Sequence, residues 1–225
     1  MIQIVSIEGN IGSGKSTLLA NLKTHFTNDT HIVFLKEPVD EWNQIQDEHG
    51  VTILEKFYAD QEKYSFPFQM MAYISRLKLL KNVIQKHDPR ENVVIITERS
   101  LYTDKMVFAK MLYDTGKIEK VNYQIYLNWF DTFACEFPVH KIIYVKTNPD
   151  ICHQRIATRQ RAGEDHIPLD YLQACHAYHE HMLDTCSADC VCTNQLLLDG
   201  NHNIYTNEHI LEEWIQKIQS FIAIK

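Results

Sequence analysis

The sequence predicts an α/β fold: one sheet of about five parallel strands with helices on both faces. Three observations predict it. An apolar run at residues 2–7 leads into a glycine-rich turn and then a helical pattern. The runs at 92–97 and 141–146 are apolar almost throughout, as strands covered on both faces must be. Between such runs lie segments of helical periodicity, and strands alternating with helices give a doubly wound parallel sheet. A chain of 225 residues can bury the core of one such unit, so residues 1–225 read as a single domain.

The elements follow in order. Ile2, Ile4, Val5 and Ile7 form the first strand, and residues 16–23 open a helix. Between them Gly9, Asn10, Ile11, Gly12, Ser13, Gly14, Lys15, Ser16 and Thr17 fit the Walker A pattern of a P-loop NTPase fold. Its glycines let successive N–H groups converge on phosphate oxygens, aided by the positive end of the helix dipole. Residues 31–36 are rich in β-branched and aromatic side chains and stop at Glu37-Pro38, because proline ends the pairing. Helical spacing over 53–85 predicts a long helical segment, with Pro67 at a break or first turn. After the strand at 92–97 come Glu98-Arg99-Ser100, then helices at about 102–114 and 123–134. Strands at 141–146 and 195–199 complete the sheet, and a C-terminal helix carries Ile210, Leu211, Trp214, Ile215, Ile218, Phe221 and Ile222 on one face.

The net charge of −7 with no basic run argues against a nucleic-acid surface. No apolar stretch approaches the ~20 residues of a membrane span, and the first strand starts too early for a leader, so a soluble cytoplasmic protein is expected. Six cysteines in a chain with a P-loop read as reduced thiols. His176, His179, His181, Cys186, Cys190 and Cys192 cluster in sequence, but their spacing matches no recognised zinc pattern and a metal site is not expected there.

Phosphoryl transfer needs held phosphates, a metal, positive charge around the moving group and an acceptor for a hydroxyl proton. Lys15 is placed for the β/γ-phosphates and Ser16 for Mg²⁺. Glu37 and Glu98 should lie at neighbouring strand ends, one near Mg²⁺ and the other taking a proton; spacing does not decide which. Arg155, Arg159 and Arg161 lie on a helix-like segment before Ala162-Gly163-Glu164-Asp165, which suits a lid over ATP at about 155–168. Arginine fits this work because its planar fork spans phosphate oxygens. Taken alone, each arginine would read as part of a solvated surface; beside a Walker A turn, closure over ATP is the better reading.

With these motifs in place the chain resembles the deoxyribonucleoside kinases, a family that includes deoxycytidine, deoxyguanosine and mitochondrial thymidine kinases. The resemblance rests on residues 9–17, on Glu37-Pro38-Val39 with Trp42, and on Ser65-Phe66-Pro67-Phe68-Gln69. It extends through Glu98-Arg99-Ser100-Leu101-Tyr102-Thr103-Asp104, the three lid arginines, and residues 167–172 leading to His179-Glu180. It implies transfer of the ATP γ-phosphate to a deoxyribonucleoside 5′-hydroxyl, with Mg²⁺, in nucleotide salvage. Glu37 then resembles the base, Glu98 the carboxylate near Mg²⁺, and Arg99 the residue that holds Glu37 and the phosphates. Gln69 resembles the reader of the base edge, and Phe68 and Phe108 the walls of the base slot, with Trp42 nearby. Tyr58 and Glu180 resemble the pair on the sugar 3′-hydroxyl, and Asp199 begins a segment like the loop over adenine. Arg76 and Asp104 resemble the deoxycytidine and deoxyguanosine type, which predicts deoxycytidine and purine deoxynucleosides over thymidine. A homodimer through helices beside the sheet is also implied, with apolar stripes at 74–84 and 123–133 as candidate faces.

Two other readings compete. A nucleoside monophosphate kinase such as thymidylate kinase shares the P-loop, lid and sheet but must bind a second phosphate. A non-catalytic nucleotide-binding assembly module would bind ATP without turnover.

Overall fold

The computed structural model describes residues 1–88, 90–159, 164, 167–204 and 207–223. Its sheet is built from β1 (Ile2–Glu8), β2 (Ile32–Leu35), β3 (Val93–Glu98), β4 (Lys141–Lys146) and β5 (Gln195–Asp199). All pairings are parallel, in the order β2-β3-β1-β4-β5. β1 is central. Its register sets Ile7 against Glu98 of β3, and Glu8 against Tyr144 of β4. From β1 the chain moves to β2 and β3 on one side, then crosses back past β1 to β4. The carboxyl end of β1, where the glycine-rich turn begins, is therefore the switch point at which open α/β sheets bind ligands.

Alternation along the strands assigns the two faces. Val5, Ile7, Val94, Ile96, Ile143 and Val145 pack with Leu18, Leu19 and Leu22 of α1 (Lys15–His25) and with Trp214, Ile218 and Ile222 of α10 (Glu208–Ile222). Ile4, Val93 and Ile95 face the other way, onto Tyr73, Leu77 and Leu80 of α4 (Gln61–Ile84) and Tyr126 and Phe130 of α7 (Lys120–Phe133). A smaller apolar group joins Val39 and Trp42 of α2 (Val39–Trp42), Leu54 and Phe57 of α3 (Ile53–Ala59), and Phe68 and Ala72 of α4. It walls one end of the site described below.

Several expectations are corrected. Pro67 breaks nothing: α4 runs through it for 24 residues, and the interruption falls at Asp60, whose carboxylate accepts from the Lys63 N–H at 3.2 Å as the N-cap. The helix expected at 102–114 is three pieces: α5 (Leu101–Thr103), a π-helical stretch Asp104–Ala109, and α6 (Lys110–Asp114). Periodicity cannot reveal a widened turn, and such turns cluster at functional sites. After β4 come α8 (Pro149–Arg159) and α9 (Leu169–Leu183). Arg161 and much of the expected lid lie outside the described residues.

The six cysteines are free. Among the described residues no three His, Cys, Asp or Glu side chains gather as a metal would need, and His179 is buried whereas Cys186 is exposed. No described helix is long and apolar enough to cross a membrane.

Candidate active site

The glycine-rich turn leaves β1 and closes onto α1. Gly12 sits at φ +79°, and a Cβ there would lie 2.6 Å from the Cys152 carbonyl oxygen, so both backbone and space demand glycine. Asn10 pins the turn to α9 by donating from Nδ2 to the Leu172 carbonyl at 2.8 Å. Lys15 lies along the turn, its Nζ donating to the Asn10 carbonyl at 2.6 Å. Burial, with the nearby Arg99 cation adding to it, pushes its ammonium down to about 7. An anionic phosphate chain against Nζ would reverse that shift, because an opposite charge favours the charged form.

Ser16 opens α1 and donates from Oγ to Glu98 Oε1 at 2.5 Å. The pair thus presents a hydroxyl and a carboxylate oxygen at one point beside the turn. Mg²⁺ takes oxygen ligands and commonly only one or two from protein, with waters and phosphate oxygens completing the octahedron, so these residues fit it.

Glu37 follows β2. Arg99 Nη1 donates to both of its oxygens at 2.8 and 3.0 Å, and Arg76 Nη2 to Oε1 at 3.0 Å. Burial alone would raise the Glu37 carboxyl, but Arg99, Arg76 and Lys15 together outweigh it and hold it at about 2. Arg99 adopts φ 64°, the one non-glycine residue at positive φ among the described residues. Strain of this kind persists only where the surroundings over-determine it. Here Glu37 grips the guanidinium, and the Phe108 ring centroid lies 5.1 Å from Cζ. Arg76 stands behind Glu37, donating from Nε to Asp104 Oδ2 at 2.9 Å and from Nη1 to the Glu98 carbonyl at 2.6 Å. Burial pushes Asp104 up to about 6 in spite of Arg76, which leaves it ionised at neutral pH.

Lys15, Ser16, Glu37, Glu98, Arg99 and Asp104 line a cavity of about 760 Å³, within the range of small-molecule and cofactor sites, while Arg76 stands behind its wall. One end is lined by Glu37, Trp42, Tyr58, Phe68, Gln69, Asp104 and Phe108. Trp42 meets Phe68 edge-on at 5.5 Å and is fixed by donating from Nε1 to Ser75 Oγ at 2.9 Å. Phe57, which no motif singles out, stacks on Phe68 at 4.6 Å and also borders the space. The middle is the turn from Ile11 to Thr17, and the far end is formed by Arg155, Gly200, Asn201, His202, Asn203, Ile204 and Trp214. Asp199 stays off the cavity wall. Its carboxylate accepts from Asn201 N at 3.1 Å and Nδ2 at 2.8 Å, and so shapes the loop that does line it.

The arginines divide. Arg155 donates to the Ser13 carbonyl at 3.3 Å and the His202 carbonyl at 2.9 Å, joining the glycine-rich turn to the loop after β5. Arg159 pairs with Glu164. The two arginines thus have different partners here, and both border the cavity.

Glu180 is not with Tyr58. It points away, accepting from the Tyr144 hydroxyl at 2.6 Å and pairing with Lys146. The carboxylate whose charge bears most on Tyr58 is Glu164, which borders the same cavity and is only 6% exposed. Burial, then the Glu164 charge, push the Tyr58 hydroxyl far up. The signal for Glu164 in the sequence is slight: an acid five residues after Arg159, within the segment expected to form the lid. Glu8 was missed as well: fully buried at the end of β1, it accepts from Ser6 Oγ at 2.5 Å and Thr103 Oγ1 at 2.6 Å.

The family model for deoxynucleoside kinases matches residues 5–223 of this chain. Curated relatives agree. Deoxycytidine kinase 1 of Xenopus laevis is 32% identical, over 99% of this chain and 91% of the relative. Mitochondrial thymidine kinase 2 of Macaca fascicularis is 30% identical, over 93% of this chain and 75% of the relative. Human deoxycytidine kinase is 34% identical, over 81% of this chain and 75% of the relative. With the sheet, the turn and the cavity in agreement, this chain belongs to the deoxynucleoside kinase family of ATP-dependent enzymes.

Proposed function

We propose that the chain acts as one kinase domain in nucleotide salvage, moving the ATP γ-phosphate to the 5′-hydroxyl of deoxycytidine or a purine deoxynucleoside in preference to thymidine. The observation that carries this is an ionised carboxylate, Glu37, held by two arginines in the cavity that also holds Lys15 of the glycine-rich turn. In the reaction the bond from the 5′-oxygen to the γ-phosphorus forms as the bond from that phosphorus to the β,γ-bridging oxygen breaks. The 5′-hydroxyl proton passes to Glu37. A carboxylate held at about 2 is a weak base, so this transfer comes late, which suits a loose transition state with little early demand for proton removal. Lys15 and Arg99 supply the positive charge around the moving group. Ser16 and Glu98 would hold Mg²⁺, which would neutralise developing charge on the phosphates.

Gln69 reads the base edge, its amide offering donor and acceptor side by side. Phe68 and Phe108 wall the slot, and Trp42 and Phe57 back it. Tyr58 takes the sugar 3′-hydroxyl, with Glu164 replacing Glu180 as its partner because Glu164 borders the cavity and its charge bears on the Tyr58 hydroxyl, whereas Glu180 is engaged by Tyr144 and Lys146. Asp104, charged and backed by Arg76, can meet an exocyclic amino group and crowds the place of a thymine methyl. The relatives' names include both deoxycytidine and thymidine kinases, so preference has to be argued from this pair.

Dimerisation is proposed through α4 and α7, where Ile74, Val121, Ile125 and Trp129 are 42–64% exposed. Six free thiols fit a reducing cytoplasm. A panel of deoxycytidine, deoxyguanosine, deoxyadenosine, thymidine and their monophosphates, with ATP and Mg²⁺, tests the reading. Deoxycytidine or a purine deoxynucleoside should give the highest kcat/KM; thymidine as best acceptor overturns the selectivity, and a monophosphate as best acceptor overturns the acceptor class.

A further inference from the structure

Glu8 is buried completely at the carboxyl end of β1, and no step of the reaction above uses it. Its two neighbours in the chain are both joined to Arg99. The Ile7 carbonyl accepts from the Arg99 N–H at 3.0 Å, and the Gly9 carbonyl from Arg99 Nη2 at 3.5 Å. Glu8 itself reaches past Arg99 to Thr103, whose Oγ1 donates to Oε2 at 2.6 Å. Three consecutive residues, where β1 passes into the glycine-rich turn, thus hold both ends of the corner at 99–103. That corner needs holding. Arg99 sits at φ 64°, a conformation that a non-glycine residue keeps only where its surroundings enforce it. The π-helical stretch that presents Asp104 and Phe108 to the cavity starts directly after Thr103.

The chemistry of the joint explains why a carboxylate stands at position 8. Its other oxygen, Oε1, accepts from Ser6 Oγ at 2.5 Å, so each oxygen takes one hydroxyl hydrogen. An amide has a single acceptor oxygen and would turn an NH₂ toward the second hydroxyl. Because Thr103 Oγ1 gives its only hydrogen to Glu8, it acts as acceptor toward Ser100, from the N–H at 3.3 Å and from Oγ at 3.1 Å. Ser100 Oγ in turn accepts from the Thr103 N–H at 3.2 Å. Glu8 therefore fixes the direction of the hydroxyl bond inside the cap of α5.

We propose that Glu8 is a positioning residue for both Arg99 and Asp104: by gripping Thr103 it holds the corner from which the first reaches Glu37 and the second reaches the acceptor base. The inference rests on the kinase reading above and extends it to a side chain that does not line the cavity. Loss of the grip lets Arg99 leave positive φ, which loosens its hold on Glu37 and lowers turnover. It also lets the start of the π-helical stretch shift, which blurs discrimination between acceptor bases. A misplacement of about 1 Å is enough to slow a reaction by up to about a hundredfold.

The test uses the full chain with Glu8→Gln, Thr103→Val, Thr103→Ser and Ser6→Ala. Glu8→Gln and Thr103→Val should each lower kcat with deoxycytidine by about tenfold, and shrink the kcat/KM ratio between the best and the poorest deoxynucleoside by about fivefold. Their double variant should be no worse than the worse single one, because both remove the same bond. Thr103→Ser keeps the hydroxyl and should restore most of both quantities. Ser6→Ala removes the donor that lies on β1 outside the corner; it should lower the melting temperature and leave kcat and the ratio within about twofold of wild type. Hydrogen exchange of the amides at 99–104 should quicken in Glu8→Gln and Thr103→Val but not in Ser6→Ala. Wild-type kcat and ratio in Glu8→Gln and Thr103→Val, losses in Ser6→Ala equal to those in Glu8→Gln, or losses that add in the double variant, each overturn the proposal. If Glu8→Gln fails to fold, Thr103→Val set against Thr103→Ser and Ser6→Ala carries the test. Absence of turnover with any nucleoside in the wild type would instead overturn the kinase reading, while exchange at 99–104 would still decide whether Glu8 holds the corner.

Discussion

Glu37 and Asp104 are carboxylates that share one arginine and are driven in opposite directions. Arg99 and Arg76 hold Glu37 at about 2, whereas burial pushes Asp104 up to about 6. The stabilisation from ionised Glu37 is complete above its ordinary value of 4.5 and is lost only as pH falls toward 2. Asp104 has the opposite sign: its charge is unfavourable in the fold, and the penalty is relieved as pH falls from about 6 toward 3.8. As Asp104 gains a proton, Arg76 loses a charged partner and the acceptor slot loses its anion. Deoxycytidine kcat/KM should therefore fall below about pH 6, and Asp104→Asn should be slower than wild type but flat over that range. An acid limb that survives in Asp104→Asn would trace it to another group. The two candidate sugar partners separate as cleanly. Glu164→Gln should raise the deoxycytidine KM by about tenfold, as expected for a lost charge-assisted hydrogen bond, while Glu180→Gln should leave it within twofold. Sequence pattern pointed to Glu37, Arg99 and Lys15, which stand at strand ends or in the glycine-rich turn, and the resemblance added Gln69; all four line the cavity. The resemblance paired Glu180 with Tyr58, but a carboxylate on a helix gives no sign in sequence of whether it faces a cavity or, as here, Tyr144 and Lys146.

Elements bring these residues together, and the joints between elements matter more than the elements themselves. Glu8 is one joint: from the end of β1 it takes the Thr103 hydroxyl, while Ser100 and Thr103 cap α5 reciprocally, so the strand feeding the glycine-rich turn is bonded to the segment leading into Asp104. The turn after β5 is another. Gly200→Ala would drive a Cβ into Thr147 Oγ1 and to 2.9 Å from Val145 Cγ1, which costs about 1–3 kcal/mol by overpacking. Thermal unfolding should show the loss, and KM for ATP should rise more than KM for deoxycytidine; equal wild-type values for both constants would mean that the loop is not fixed as described. The inner strands β1, β3 and β4 were legible from apolar runs because they are covered on both faces, and the half-buried edge strands β2 and β5 from their β-branched, aromatic and leucine-rich runs. The split at Asp60 and the π-helical stretch were not, since each is settled by capping or by a single widened turn rather than by periodicity.

At the scale of the molecule, the switch point beside β1 places both halves of the cavity over the strand ends, and α4 and α7 cover the opposite face of the sheet from α1 and α10. On their outward sides Ile74 of α4 and Val121, Ile125 and Trp129 of α7 are exposed among polar residues. Trp129→Glu combined with Ile125→Glu should turn the proposed dimer into a monomer by light scattering; a wild type that is already monomeric would contradict the interface. Sequence periodicity named these stripes but could not separate core from contact surface. Tyr126 and Phe130 point inward and Ile125 and Trp129 outward on the same helix. The account as a whole depends on Glu37 meeting the acceptor hydroxyl opposite the phosphates at Lys15. The most direct test is steady-state turnover of deoxycytidine by Glu37→Gln, with deoxycytidine binding measured on the same preparation. The predicted result is a fall in kcat of about 10²- to 10⁴-fold with binding retained. A kcat within about threefold of wild type would contradict it.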